Sequence, residues 1–224
     1  NWEKFIDDQL KFSVLQYKTM NEVLPDDVCP RTFENDELIT SGTGWWCSGF
    51  FPGSLWYLYE YSGDDELKEI AHRRTMVLEN QKNNRRTHDL GFMLYCSFGN
   101  GFRLTGNDKY QEILLTGAES LISRYNENVG CIRSWDHGDW QFPVIIDNMM
   151  NLEFLFWASS TAETDEYSKK SISHSEKTIK NHYRPDYSSY HLVDYDTPTG
   201  EVSGKQTVQG YNDGSAWARG QAWG

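Results

Sequence analysis

The chain has 224 residues, 38% hydrophobic and 24% charged, a length and composition suited to one domain with a sizeable core. No apolar run approaches the roughly 18 residues of a membrane span, and 33 acidic against 21 basic residues give a net charge of −12, which argues against nucleic acid or an anionic membrane as partner. Aromatic residues make up 15%, with 9 Trp. A buried indole needs a hydrogen-bond acceptor, so stacking platforms for sugar rings or bases are the alternative use of so many.

In chain order, Trp2, Phe5, Ile6, Leu10, Phe12, Leu15 and Met20, with acids early and Lys11 and Lys18 later, predict an amphipathic helix from Trp2 to about Val23. Residues 24–44, with their prolines, are read as irregular. Residues 46–61 are strongly apolar and aromatic, and Pro52 belongs near the start of a helix there, because in its middle it would cost about 3 kcal/mol. Ser62-Gly63-Asp64-Asp65-Glu66-Leu67 then opens a polar helix. Thr105-Gly106-Asn107-Asp108-Lys109-Tyr110 opens another, and a weaker copy from Ser160 to Tyr167 opens a third. The mark is a Gly- and Asx-rich turn: Gly supplies the positive φ that ends one helix, and Asp or Asn caps the next.

The chain is therefore an array of αα-hairpins with a period of roughly 45–55 residues. The first helix of each pair, 46–61, 90–104 and 144–159, is apolar nearly all round and is expected inside; the second is polar on one face and belongs outside. Buried inner helices ringed by outer ones describe an all-α toroid, with an unclosed solenoid as the alternative. Residues 183–210 are read as extended loop with room for a short hairpin. Cys29, Cys47, Cys96 and Cys131 form no C-x-x-C pair, are too sparse for a disulfide scaffold, and are read as buried free thiols.

Four segments lead into the inner helices: TSGTGWWCSGF, RRTHDLGF, CIRSWDHGDWQFPVIIDNMMN and QGYNDGSAWARGQAWG. With the inner helices running the same way, these converge on one rim, where polar and aromatic residues together make a site. Asp147 stands among Ile145, Ile146, Met149 and Met150; burial there would raise its pKa into the range of a general acid, or else it is an N-cap or an ion-pair partner. Asp89, after His88, is either the N-cap of the next helix or the second carboxylate of an acid/base pair in which each charge raises the other's pKa. The run Trp135-Asp136-His137-Gly138-Asp139-Trp140 suits a sugar face or a solvent loop with Trp anchors. Arg219, flanked by Trp217 and Trp223, is either a cation–π strut or the cation for a substrate carboxylate. His88, Asp89, Asp136, His137 and Asp139 match no metal-ligand spacing, and phosphate-loop, G-x-S-x-G and HExxH motifs are absent.

HDLGF (88–92), IIDNMMN (145–151), SGFFPGSLWYLYEYSGDD (48–65) and QGYNDGSAWARGQAW (209–223) together resemble the unsaturated glucuronyl hydrolases, glycoside hydrolase family 88. The resemblance spans nearly the whole chain and implies an (α/α)6 barrel. It also implies hydration of the C4=C5 double bond of an unsaturated uronic acid, left by polysaccharide lyases at a non-reducing end: a proton goes to C4, water adds at C5, and the hemiketal opens and releases the remaining sugar. By motif, Asp147 is implied as the acid that protonates C4 and the base that activates water, with Asp89 supporting it. His88, His191, Gln209, Arg219 and Trp223 are implied to line the uronic-acid pocket, with Arg219 on the carboxylate. Trp46 and Trp135 are implied to stack on sugar rings, Trp140 being the alternative to Trp135. No metal or organic cofactor is implied, and the partner is an unsaturated acidic oligosaccharide. Six hairpins need roughly 300 residues, so residues 1–224 are expected to form the N-terminal part of a single toroid domain. The start at Asn1, without a signal-peptide pattern, leaves the periplasm and cytoplasm of a bacterium both open. The alternatives are an unsaturated rhamnogalacturonyl hydrolase and a non-catalytic binder of acidic oligosaccharides, the latter having no need of Asp147 in an apolar setting.

Overall fold

Asn1 opens α1 (Trp2–Val23) by accepting the Glu3 N–H at 3.1 Å. The computed structural model describes residues 1–224 and divides into two units, Asn1–Lys82 with Phe92–Leu114, and Asn83–Gly91 with Leu115–Gly224. In the first unit the apolar stripe of α1 stays largely uncovered: Trp2 is 79% exposed, and Phe5, Phe12 and Leu15 are more than half exposed. The helix has no basic residue in its last turn. Instead the buried Arg74 guanidinium of α3 (Asp65–Met76) donates to the carbonyls of Asn21, Leu24 and Pro25, which satisfies orphan acceptors at the helix end. Residues 24–44 are not irregular throughout. β1 (Cys29–Glu34) and β2 (Glu37–Ser41) form an antiparallel hairpin around Asn35 and Asp36, both at positive φ, the two-residue turn that matches strand twist.

The repeated turn is realised as read. α2 (Phe50–Ser62), with Pro52 in its first turn, ends at Gly63 (φ +67°), and Asp64 caps α3 by accepting the Glu66 N–H at 2.9 Å. A π-helical stretch, Gly91–Gly99, continues into α4 (Asn100–Thr105), which ends at Gly106 (φ +64°), and Asn107 accepts from Lys109 N–H to open α5 (Asp108–Ile122). In the weaker copy Glu163 takes the left-handed position at φ +51°, where a side chain costs about 1 kcal/mol that glycine avoids. Gly49 and Gly53, one helical turn apart, let α2 lie directly on the π-helical backbone: a Cβ would come within 2.2 Å of the Phe92 carbonyl oxygen at Gly49 and 2.5 Å of the Cys96 carbonyl oxygen at Gly53. Gly53→Ala is therefore expected to cost about 2–3 kcal/mol through overpacking against rigid backbone, read as a fall in melting temperature.

The second unit is less helical than the sequence suggests. β5 (Pro143–Ile145), β6 (Leu192–Tyr195) and β7 (Val202–Gln206) make a three-stranded antiparallel sheet, with Val144 opposite Val193 and Ile145 opposite Leu192. β3 (Tyr125–Asn126) and β4 (Cys131–Ile132) form a small hairpin beside it. Val129, Cys131, Phe142, Val144, Val193 and Tyr195 pack as its core. The chain is helix-rich, as expected, but the inner helix read over 144–159 begins later: its first residues are strand β5 and a 3-10 turn, Ile146–Asn151, and α6 proper is Leu152–Thr161. β-Branched residues beside a partner strand favour extension. α7 (Glu166–Asn181) follows α6, and α8 (Ala218–Trp223) packs on the Ile146 turn, with Gly220 giving the room. None of the four cysteines is in a disulfide; Cys29 and Cys131 are buried, Cys47 and Cys96 half-buried. No helix is long and apolar enough to cross a membrane.

Candidate active site

Asp147 projects from the 3-10 turn between β5 and α6. It is 6% exposed, and its Oδ2 makes no hydrogen bond. It is no N-cap, since the turn carries no side-chain cap. Burial pushes its carboxyl up to about 6; His88 opposes this, and the Asp89 charge adds a smaller push. Burial, more than a second carboxylate, therefore raises this group. Oδ2 faces His191 Nε2 at 3.7 Å. His191 Nδ1 accepts N–H groups from Val208 at 2.9 Å and Gln209 at 3.4 Å, which puts the ring proton on Nε2. Burial, with a lesser push from His88, holds His191 down at about 4, so it presents a neutral N–H donor to Asp147.

Asp89 is likewise not a helix cap. The Gly91 N–H at the start of the next helix donates instead to Asn151 Oδ1 at 2.8 Å, and a Cβ at Gly91 would fall 2.5 Å from that oxygen. This contact locks HDLGF to IIDNMMN. Freed from capping, the Asp89 carboxylate accepts from Thr87 Oγ1 at 2.6 Å and lies 3.3 Å from His88 Nε2. His88 Nδ1 donates to the Ser134 carbonyl at 2.8 Å, which fixes the ring with Nε2 toward Asp89.

Arg219 is a cation–π strut. Its guanidinium carbon lies 4.3 Å from the Trp217 ring centre and 5.3 Å from that of Trp223, it donates to Gln209 Oε1 at 2.7 Å, and it is exposed to solvent. Trp217 meets the His191 ring edge-on at 4.9 Å, which joins the Arg219 group to Asp147. Trp135 is half-buried, stacked on His137 at 5.2 Å and 6.5 Å from His88, while Trp140 is engaged through Nε1 with Gln206 Oε1 at 3.0 Å. Trp46 belongs to the first unit, where it meets Phe50 and Phe92 edge-on. No three His, Cys, Asp or Glu side chains are grouped to hold a metal ion, and Asp136 pairs instead with Arg124.

His88 and Asp89 come from HDLGF, Asp147 and Asn151 from IIDNMMN, and Gln209, Trp217, Arg219 and Trp223 from the QGYNDGSAWARGQAW segment, joined by His191 and Ser134 from outside them. No family model matches the chain. It is 49% identical over 181 residues to an unsaturated glucuronyl hydrolase of Formosa agariphila, covering 80% of this chain and 45% of that relative. It is 35% identical over 227 residues to an unsaturated chondroitin disaccharide hydrolase of Streptococcus agalactiae, covering 99% of this chain and 56% of that one. A solved unsaturated glucuronyl hydrolase specific for heparin matches with a TM-score of 0.96 at 46% identity, over 99% of this chain and 60% of that chain. The chain belongs to the unsaturated glucuronyl hydrolase family. It spans about half the length of the curated relatives it matches.

Four neighbouring residues were given no role of their own by the sequence reading. Asn148 donates to the Ile132 carbonyl at 2.9 Å and to Ser134 Oγ at 3.1 Å, and Asn151 anchors Gly91. Both are amides in the apolar run that singled out Asp147, so the same signal applies to them. Trp217 carries the contact between His191 and Arg219. Ser134, whose Oγ also accepts from Ile145 N–H at 2.9 Å, leaves no trace in composition or spacing.

Proposed function

We propose that the protein carrying this chain hydrates the C4=C5 double bond of an unsaturated uronic acid at the non-reducing end of a lyase-generated oligosaccharide. The carrying observation is the buried Asp147 carboxyl with its Oδ2 3.7 Å from His191 Nε2, a burial that pushes its pKa up to about 6. C4 of the substrate is the electron-rich carbon of an enol ether, so it takes a proton from neutral Asp147 and leaves positive charge at C5 and the ring oxygen. The Asp147 carboxylate so formed accepts the His191 N–H, then removes a proton from water as that water adds at C5. The hemiketal opens without further help, and Asp147 is again protonated. Asp89, 3.3 Å from His88 Nε2, supports Asp147 and orients the sugar. Arg219, held flat by Trp217 and Trp223, takes the substrate carboxylate, which counters the repulsion of a chain with net charge −12. His88, His191, Gln209 and Trp223 line the pocket, and Trp135 stacks on a sugar ring.

The hairpins are read as part of an (α/α)6 barrel forming one catalytic domain, and the partner is an unsaturated acidic oligosaccharide. Relatives named for chondroitin and heparin supply the substrates to offer. Unsaturated disaccharides from both, and their saturated counterparts, are to be incubated with the protein that carries this sequence. Consumption confined to an unsaturated form is expected; equal consumption of a saturated form, or binding without turnover, contradicts the reading.

A further inference from the structure

Arg124 lies just beyond α5, 5% exposed through its side chain, and touches none of the groups assigned to the reaction. Its guanidinium is nonetheless committed at every edge. Nε donates to the Arg133 carbonyl at 2.9 Å, and Nη1 to the Arg85 carbonyl at 2.6 Å. Nη1 and Nη2 also bind Asp136 Oδ2 and Oδ1, both at 3.0 Å. Arg85 begins the loop that carries His88 and Asp89. Arg133 and Asp136 bracket Ser134, which accepts from His88, and Trp135, the proposed sugar platform. One planar fork thus spans two loops that have no regular secondary structure of their own at these residues. A bidentate carboxylate contact fixes angle as well as distance.

We infer that Arg124 is a positioning residue, setting the Trp135 platform against the His88–Asp89 pair by tying both loops to one guanidinium. Arg124→Lys keeps the charge but replaces the fork by a single ammonium, which cannot hold all four acceptors in one plane. Asp136→Asn leaves the two carbonyl contacts and weakens only the Trp135 side.

The first test needs no substrate. Amide hydrogen exchange of the protein carrying this sequence is measured for the wild type, Arg124→Lys and Asp136→Asn, with Thr75→Ala as a control that removes the acceptor of Trp56 Nε1 in the first unit. Exchange in both segments 85–89 and 133–137 is expected to quicken about tenfold in Arg124→Lys, in 133–137 alone in Asp136→Asn, and in neither for Thr75→Ala. Unchanged exchange in either loop of Arg124→Lys overturns the inference. Should Arg124→Lys not fold, Asp136→Asn decides it: quickening outside 133–137, or none, is the contrary result.

The kinetic half rests on the function proposed above. There KM for an unsaturated disaccharide is expected to rise about tenfold in Arg124→Lys, with kcat falling less than threefold, since a displaced platform weakens binding more than proton transfer. A fall in kcat at constant KM contradicts the positioning role. An inactive wild type overturns the function alone, because the exchange result stands apart from turnover.

Discussion

Asp147→Asn is expected to lose about a thousandfold or more in turnover while making the protein more stable at pH 8. Asparagine is close in shape but delivers no proton. The stability gain follows from the burial that raises the carboxyl's pKa. Its pKa stands at about 6 in the folded state against 3.8 ordinarily, so between those values the folded protein holds a proton that the unfolded chain has released. Stability therefore falls as pH rises through that window, and the deficit is complete above about pH 6. A window about two pH units wide corresponds to about 3 kcal/mol at most, seen as a rise of several degrees in the melting temperature of Asp147→Asn at pH 8 and little change at pH 4. Wild-type kcat is expected to decline above about pH 6 as the acid is lost. A variant that is inactive and also less stable at pH 8 would show that Asp147 holds the fold together and not a proton.

Acid is expected to unfold the second unit well above the pH at which surface carboxylates titrate. Burial holds His174 down at about 3, and holds His182 and His191 down at about 4. The cause is legible in the contacts. His174 Nδ1 accepts the Ile132 N–H at 3.0 Å and His182 Nε2 donates to the Val144 carbonyl at 3.0 Å, while the second nitrogen of each ring is buried without a partner. A folded-state pKa below 6.5 means that the unfolded chain binds protons the folded chain refuses. The stabilisation is fully present above about pH 6.5 and is lost as pH falls toward 4. Each histidine contributes roughly 2 kcal/mol of that loss by pH 5, which is large against a typical total stability of about 5–15 kcal/mol. Asp147 works in the opposite direction over part of the window but is a single group. Circular dichroism against pH is expected to show unfolding between about pH 4 and 6, and His182→Gln to lower the slope of stability against pH by about one proton. Retention of structure to pH 3.5 would contradict the neutral, unpaired state of these rings.

Local chemistry made much of the first unit legible. The bounds of α1, the helix ends at Gly63 and Gly106 and the caps at Asp64 and Asn107 all follow from residues within one turn of each other. The Asn35-Asp36 turn was equally local, and two adjacent residues suited to positive φ are the signal that residues 24–44 hold a hairpin. β5 was different. Val144, Ile145 and Ile146 are apolar in either state, and what decides for the strand is a partner about 50 residues downstream, Leu192 and Val193, which periodicity cannot see. Asp147 stood out because a carboxylate in an apolar run is costly. Arg124 and Ser134 did not, because their importance lies in which carbonyls and loops they reach, and only the folded chain brings those together.

The most direct measurement follows the ultraviolet absorbance of an unsaturated disaccharide and the release of its second sugar in the same reaction. The conjugated C4=C5 bond absorbs and the hydrated product does not. Absorbance is predicted to disappear no later than the sugar appears, mole for mole, and both changes to vanish in Asp147→Asn. Sugar released while the absorbance persists would mean that the glycosidic bond is cleaved directly, and would contradict protonation at C4.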